Sequence, residues 1–529
     1  MRRLRDAVIA LSLSNLLFFK VWAAYFYSYH RPYFRQDVAP GLDYLAILLD
    51  VLLLAALFWV GAQLARRSDG AALLAGMRLL FLVTLLVVAS VIARGLQPTR
   101  GPFATEPAPW SWAAVLVAAG AGLAALYFAV RWQRPLARAG VHLVLVLSPF
   151  VLVTGAQAVW MARPQPPAAA VRPGSRPPAL PRRSPDAPRV LWLVFDGLDQ
   201  RLAFDERPAG LALPEFDRLR GESLVASRAL PISTATLVSL PSLLTGRIIT
   251  YCDPQGPDEL MIYTEGSPAA VPWSRQPTVF SRARALGVES GLAGWFHPYC
   301  RLFGSQLETC ASWPFRFAGG PRSLPVRLRD VAAMMLWSLP LTDQFFFVDP
   351  LGLDLFPTRS FRGDHRRKHE GILAAARAMA ADPALGLVFV HSPMPHGPGI
   401  YDRRAGKLGA PADPKEWYLD NLALADRMLG ELRQALEQAG LAERTAIVVT
   451  ADHSWGASAS FDGKRDPRVP LLVRLPGQTQ ALRSDAELRI TVLHDLVLAV
   501  LRGELKKPDE VARWLNERGK EAKRQGGRE

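Results

Sequence analysis

A chain of 529 residues, half of them hydrophobic, is long enough for more than one domain and a sizeable core. Its formal net charge of +15 is carried mostly by Arg spread along the chain. No compact basic block interleaved with aromatics is present, which argues against a nucleic-acid partner and fits an anionic lipid surface.

The apolar residues are unevenly distributed. Five apolar segments, at about 7–29, 42–65, 71–94, 111–131 and 139–161, are each long enough to cross a bilayer as a helix. No small-residue cleavage site follows the first, so residues 1–162 read as a five-helix transmembrane domain and not a removed signal. Arg2, Arg3 and Arg5 precede the first segment, Arg66 and Arg67 follow the second, and Arg131, Arg134 and Arg138 lie between the fourth and fifth. Placing these on the cytoplasmic side, as the positive-inside rule asks, and counting five spans puts everything after residue 162 outside the cytoplasm. Lys20 and Asp50 fall at the same depth, roughly 12 Å below the outer surface. Each either snorkels or pairs with the other. Arg78, nearer the inner surface, is expected to snorkel.

Residues 163–188 are rich in Pro, Ala and Arg without hydrophobic period, and read as an extended linker. From 189 onward, strand patterns alternate with helical ones, which predicts an α/β domain over 189–504 with a mostly parallel central sheet flanked by helices. Strands are expected at 189–196, 287–295, 386–391, 445–451 and 469–475, and helices at about 278–286, 366–380, 416–439 and 488–502. Residues 306–360 carry no clear pattern, and 505–529 read as a charged helix or tail. Three Cys are too few for a disulfide scaffold. Cys300 and Cys310 either close a small loop in an oxidising compartment, leaving Cys252 free, or all three remain thiols.

Two strands end in candidate metal ligands. Arg189-Val-Leu-Trp-Leu-Val-Phe-Asp196 ends in a carboxylate before Gly197, and Thr445-Ala-Ile-Val-Val-Thr-Ala451 leads into Asp452-His453. In open α/β sheets, ligands bind beyond the carboxyl ends of strands, so these side chains are placed for chemistry. A polar loop after a strand is the alternative for either one alone. The hydroxyl-rich stretch Pro231-Ile-Ser-Thr-Ala-Thr236 runs into a short apolar helix, where unpaired N–H groups favour an alkoxide or a phosphate. A further strand leads into His391-Ser-Pro-Met-Pro-His396-Gly-Pro398.

These segments resemble the alkaline phosphatase–sulfatase superfamily, and within it the membrane phosphoethanolamine transferase and lipoteichoic acid synthase branch. Thr234-Ala-Thr-Leu-Val-Ser-Leu-Pro241 is similar to that branch's Thr-x-Thr-Ala-x-Ser-x-Pro loop, whose second Thr is the nucleophile, here Thr236. The sulfatase register, counted back from Thr245-Gly246-Arg247, lands on the same residue. The branch's His-x-x-x-x-His-Gly-Pro is matched at His391 through Pro398, and the resemblance implies that His396 contacts substrate. His494-Asp495-Leu resembles a late helix of the family, with a structural role for His494.

Departures exist. The transferases' first Glu is Asp196, their Asp-His-Gly is Asp452-His453-Ser454, and their later His-Gly is Asp462-Gly463, followed by Lys464 as in sulfatases.

The resemblance implies one divalent metal, Zn²⁺ before Mn²⁺ or Mg²⁺, held by Asp196, Thr236, Asp452 and His453, with His391, His396 and Lys464 toward substrate. Thr236 would attack a phosphodiester, with His396 and Lys464 holding phosphoryl oxygens or protonating the leaving group, and carry a phosphoethanolamine or glycerol phosphate type group as phospho-Thr. The donor would be a membrane phospholipid and the acceptor an envelope glycan or glycolipid, at the periplasmic face of a bacterial inner membrane. A membrane-anchored phosphodiesterase or sulfatase-like hydrolase is the first alternative, although Thr cannot become the formylglycine that sulfatases need. A catalytically silent lipid- or glycan-binding scaffold is the second.

Overall fold

The computed structural model describes residues 2–26, 33–34, 41–67, 70–96, 124, 127–163, 180–181, 184, 186–256, 258–267, 269–315, 323–340 and 356–526. By packing, the chain divides into two units. One comprises residues 1–28, 37–167 and 318–346; the other comprises 29–36, 168–317 and 347–529.

The expectation of five transmembrane helices is not met. Among the described residues three helices are long and apolar enough to cross a membrane, Gly41–Arg66, Ala71–Ala93 and Gln133–Met161. A fourth is reached only if Arg2–Leu17 and Phe19–Phe26, bent by 57° against each other, count as one span. The segment expected at 111–131 lies mostly outside the described residues. Hydropathy registers the length of an apolar run and not its direction, and the bend at Phe18 falls inside such a run with no Pro or Gly to mark it.

Polar side chains tie the bent pair into the bundle. Ser12 Oγ donates to the Val144 carbonyl, Ser14 Oγ to that of Val51, and Trp22 Nε1 and Thr154 Oγ1 both donate to Asn15 Oδ1. Where lipid offers no partner, such bonds hold helices together. Among the described residues no ion pair joins Lys20 to Asp50. Asp50 is buried with one carboxylate oxygen lacking a hydrogen-bond partner, while Arg66 pairs with Asp6 and Arg327 with Asp43. Arg327 belongs to the helix Leu324–Ser338, which packs on Gly41–Arg66 although it arises far along the sequence. The predicted linker lies largely outside the described residues.

The second unit is built on an eight-stranded sheet. Its strands, from one edge to the other, are Leu482–Arg489, Leu224–Leu230, Leu471–Arg474, Thr445–Ala451, Arg189–Asp196, Leu387–Pro395, Ser290–Phe296 and Thr309–Pro314. All run parallel except Leu471–Arg474, which is antiparallel to both neighbours. The central strands are buried along their whole length, which is why they read as unbroken apolar runs. Helices Phe356–Ala381, Trp417–Gln438 and Val492–Leu501 pack against them. On Trp417–Gln438, Leu422, Ala425, Leu429, Leu432 and Leu436 form the buried stripe at helical spacing.

Three strands of the sheet, Leu224–Leu230, Thr309–Pro314 and Leu482–Arg489, were not among those expected. Leu482–Arg489 is an edge strand, and the expected charged helix at the carboxyl end, Pro508–Gly526, covers it with Val511 and Leu515 fully buried. Cys300 and Cys310 form a disulfide that joins the chain after Ser290–Phe296 to the strand Thr309–Pro314, and Cys252 is free and buried.

At the amino end of the central strand, Arg189 is buried and donates to four acceptors. Nε reaches the Leu385 carbonyl, Nη1 Thr445 Oγ1, and Nη2 the carbonyls of Ala380 and Asp382. Burial brings its guanidinium down to about 10, so it stays charged at neutral pH. Removing it takes the guanidinium donors away from all four in the interior, while the Asp382 carbonyl keeps only the Leu385 N–H and the Thr445 hydroxyl its own bond to the Leu441 carbonyl. Arg189→Leu is therefore expected to destabilise the unit by about 2–4 kcal/mol, read as a lower urea midpoint at unchanged slope.

Candidate active site

Parallel pairing sets the site. The strands Arg189–Asp196 and Thr445–Ala451 run in register from Arg189 opposite Thr445 to Phe195 opposite Ala451, so the next residues, Asp196 and Asp452, emerge side by side at the carboxyl edge. Gly197 turns the chain with φ +72°, a conformation that a Cβ disfavours. Tyr418 pins this turn, donating to the Gly197 carbonyl and accepting from the Asp199 N–H.

Asp452 Oδ1 accepts from the backbone N–H groups of Gly197 at 3.1 Å and His453 at 2.9 Å. That leaves Oδ2 buried without a partner, and Asp196 Oδ1 is in the same position. His453 Nδ1 donates to the Ser454 carbonyl, so Nε2 carries the lone pair. That nitrogen lies 3.5 Å from Asp196 Oδ1 and 3.5 Å from Asp452 Oδ2. One ligand atom from each of the three residues lies within 4.8 Å of the others. Burial first, and the Asp452 charge second, push the Asp196 carboxyl well above its usual range. Two unpaired buried carboxylate oxygens facing an imidazole lone pair fit a divalent cation, which would offset that repulsion.

Thr236 is the first residue of the helix Thr236–Thr245, whose N-cap position is Ala235 and has no side-chain cap. Its Oγ1 donates to Asp196 Oδ2 at 3.1 Å and lies 3.3 Å from His453 Nε2. The helix ends at Gly246, φ +70°, where a Cβ would come within 2.8 Å of His494 Nδ1. His494 therefore packs against the turn and pairs with Asp495.

His391 lies in the strand Leu387–Pro395 and is fully buried. Its Nδ1 is 3.0 Å from both the Trp295 carbonyl and the Tyr299 hydroxyl, while Nε2 is unpaired, 4.0 Å from Asp196 Oδ2. His396 Nδ1 donates to the Gly397 carbonyl, and the His396 carbonyl accepts from His365 Nε2 and Asn421 Nδ2. Burial holds both His391 and His396 at about 4, hence neutral at pH 7. Lys464 is not brought to this group by any described contact. It is exposed, and its Nζ lies 2.7 Å from Glu206.

The sequence reading missed the aromatic wall. Trp295, Tyr299, His297 and His365 surround His391 and His396, with the Trp295 ring 5.5 Å from those of His365 and His396. One signal was available for His297. It follows a predicted buried strand at the carboxyl edge, the signature that found Asp196 and Asp452.

Fold and site together define an enzyme of the alkaline phosphatase–sulfatase superfamily with a candidate metal-binding cluster. More closely, the chain belongs to the type I phosphodiesterase / nucleotide pyrophosphatase family, whose model matches residues 190–466, more than half of its length. Similar solved structures include the phosphonate monoester hydrolase of Agrobacterium radiobacter, 16% identical with a TM-score of 0.38 over 61% of this chain and 78% of that one. The lipoteichoic acid synthase LtaP from Listeria monocytogenes is 11% identical with a TM-score of 0.37, over 61% and 75%. Ps i-CgsB in complex with k-i-k-neocarrahexaose is 15% identical with a TM-score of 0.39, over 62% and 74%. Among curated proteins no match was found.

The buried histidines carry a pH dependence. Burial lowers His369 to about 4 and His297 to about 3, against about 6.5 for an unfolded imidazole. Between those values the unfolded chain binds more protons, so stability present above about pH 6.5 is lost as the pH falls toward 4. The buried Asp199 and Asp426 carboxyls, raised to about 6, oppose this below that pH, so the histidine contribution is read as a difference: relative to the unsubstituted protein, His369→Gln should lose less unfolding temperature as the pH falls from about 6.5 to 4. Parallel profiles for the two proteins would contradict this.

Proposed function

We propose that the chain is a membrane-anchored, divalent-metal-dependent phosphodiesterase with Thr236 as nucleophile. The observation that carries this reading is a threonine hydroxyl on the first residue of an uncapped helix, 3.1 Å from a carboxylate and 3.3 Å from an imidazole of one ligand cluster. Asp196, Asp452, His453 and the Thr236 oxygen would hold the cation. Two carboxylates, an imidazole and an alkoxide suit Zn²⁺, with Mn²⁺ or Mg²⁺ as alternatives. Once bound, it supplies a lowered hydroxyl pKa and charge opposite the phosphoryl oxygens.

The chain's own residues do the rest. Asp196 Oδ2 receives the hydroxyl hydrogen bond and orients Oγ1. Oγ1 gives up its proton by way of its hydrogen bond to Asp196 Oδ2 and forms a bond to phosphorus as the bond to the leaving alcohol breaks, and that alcohol takes up a proton from water. The first-turn N–H groups of the helix offer the phosphoryl oxygens donors. Water then cleaves the phospho-Thr, releasing a phosphomonoester and restoring the hydroxyl. His391 and His396, neutral by burial, act as hydrogen-bonding partners of the phosphoryl group or of the attacking water and not as standing cations. Lys464, tied to Glu206, has no assigned part.

One observation favours a second reading. The same chain carries several helices long and apolar enough to span a membrane, which would anchor it in a phospholipid bilayer. With a phospholipid as donor and an envelope glycan or glycolipid hydroxyl in place of water, the same phospho-Thr would transfer a head group. The Cys300–Cys310 disulfide supports an extracytoplasmic position for this unit in either case.

With bis(p-nitrophenyl) phosphate as substrate, chelation should abolish turnover and Zn²⁺ restore it. Thr236→Ala should lose at least about 10³-fold in kcat while keeping bound metal, and wild-type Thr236 peptides should carry the phosphoryl adduct by mass spectrometry. Turnover by Thr236→Ala at the wild-type rate would overturn the assignment. With labelled phospholipid, release of a phosphomonoester without added acceptor supports hydrolysis; label appearing only on an added glycan supports transfer.

A further inference from the structure

Tyr33 lies in sequence between the first two apolar segments, yet it packs within the catalytic unit and is fully buried there. Its hydroxyl is 2.8 Å from His297 Nδ1, and its carbonyl accepts from the Arg301 guanidinium. The adjacent Phe34 meets the Phe296 ring edge-on at 5.2 Å. Phe296 holds φ +74°, the one positive value at a non-glycine position among the described residues. Such a backbone costs about 1–3 kcal/mol and persists where its surroundings fix it. It delivers His297, also fully buried, between Tyr33 and the edge of Trp273, whose ring lies 4.9 Å away. On its other side, His297 Nε2 lies 3.4 Å from the Thr236 carbonyl oxygen.

These contacts admit one arrangement of protons. A carbonyl oxygen only accepts, so Nε2 carries the hydrogen, and in a neutral ring Nδ1 then offers the lone pair that the Tyr33 O–H fills. Removing that O–H deletes what selects this tautomer. The other tautomer turns a lone pair toward the Thr236 carbonyl.

We infer that Tyr33 and His297 are positioning residues for the nucleophile: Tyr33 fixes the His297 tautomer, and His297 Nε2–H holds the Thr236 carbonyl, so that Oγ1 is presented to Asp196 and His453. A segment drawn from between two apolar helices is thereby built into the reaction centre. This rests on Thr236 being the nucleophile. The effect would fall on the rate of attack, where a displacement of an ångström or less is costly, and not on substrate binding.

The test uses the full-length protein in detergent with bis(p-nitrophenyl) phosphate. Tyr33→Phe should lower kcat and the rate of phospho-Thr236 formation about tenfold, with KM within about twofold and with metal content and unfolding temperature unchanged. His297→Leu should show a loss of the same size, and adding Tyr33→Phe to it should cost nothing more, because the two act in series. His297→Gln, whose amide N–H reaches the place of Nε2, should restore most of the lost kcat. A wild-type kcat in Tyr33→Phe, or additive losses in the double variant, would overturn the inference. So would a fall in kcat that tracks a fall in unfolding temperature. Should Tyr33→Phe not fold, the contrast between His297→Leu and His297→Gln decides alone: equal rates in the two would overturn it. Thr236→Ala separates the two assignments, since activity there removes the nucleophile and not only its support.

Discussion

Two carboxylates side by side in the interior are the constraint on which the site depends. Asp196 and Asp452 are both fully buried, and parallel pairing leaves them no means of moving apart. Burial of one unpaired charge is costly, and of two like charges more so. The fold meets part of that cost locally. Backbone N–H groups of Gly197 and His453 occupy one oxygen of Asp452, and the Thr236 hydroxyl occupies one oxygen of Asp196. The two remaining oxygens have no protein partner and lie within reach of the His453 lone pair. What is left unsatisfied has the shape and sign of a cation site. The carboxylate that faces this candidate cation site with one oxygen accepts from the Thr236 hydroxyl with the other, so Asp196 links the two.

The surrounding elements serve that arrangement by removing freedom. Tyr418 holds both ends of the turn after Asp196, and stacks on Trp455 from the other loop at 3.9 Å. The two loops that carry the ligands are thus tied to one another through an aromatic pair as well as through the sheet. His453 is turned by the Ser454 carbonyl, which fixes the nitrogen that faces the carboxylates. On the far side, Asn421 accepts from the Ile400 N–H and donates to the carbonyls of Pro395, His396 and Pro398, holding the loop that carries His396. Ligands held by rotamer-locking neighbours need little reorganisation when a substrate arrives.

How much of this was legible follows from which interactions are local. The strands ending in Asp196 and Asp452 announce themselves because a strand buried on both faces must be apolar throughout, and a carboxylate at its end has no packing reason to be there. Thr236 was found by motif and by its place at a helix start. Leu482–Arg489 was not found, although Arg483, Asp485, Glu487 and Arg489 alternate with the period of a strand, because Ser484 and Ala486 leave its inward face only weakly apolar. The helix break at Phe18 was not found, because an apolar run gives no sign of direction. Trp295, Tyr299 and Tyr33 were invisible for a different reason: each acquires its role only from residues tens to hundreds of positions away. Nothing in the local sequence around Tyr33 distinguishes a core tyrosine from one that sets a tautomer.

Asp462 stands outside the ligand cluster for a reason the structure gives. Arg201 grips it with both terminal nitrogens, Nη1 at 2.5 Å and Nη2 at 3.0 Å. The Lys464 N–H donates to the same carboxylate, and Lys464 Nζ reaches Glu206, which also lies within 3.5 Å of Arg201. A bidentate guanidinium–carboxylate pair occupies the lone-pair directions that a cation would use, and places a fixed positive charge beside them. Recruiting Asp462 as a ligand would require breaking that pair and leaving Arg201, itself buried, without its partner. Among the described residues a single group of three ligands exists. Among the described residues Asp196, Asp452 and His453 are therefore the group placed to hold a cation, with the Thr236 hydroxyl beside them and the buried, neutral His391 and His396 nearby.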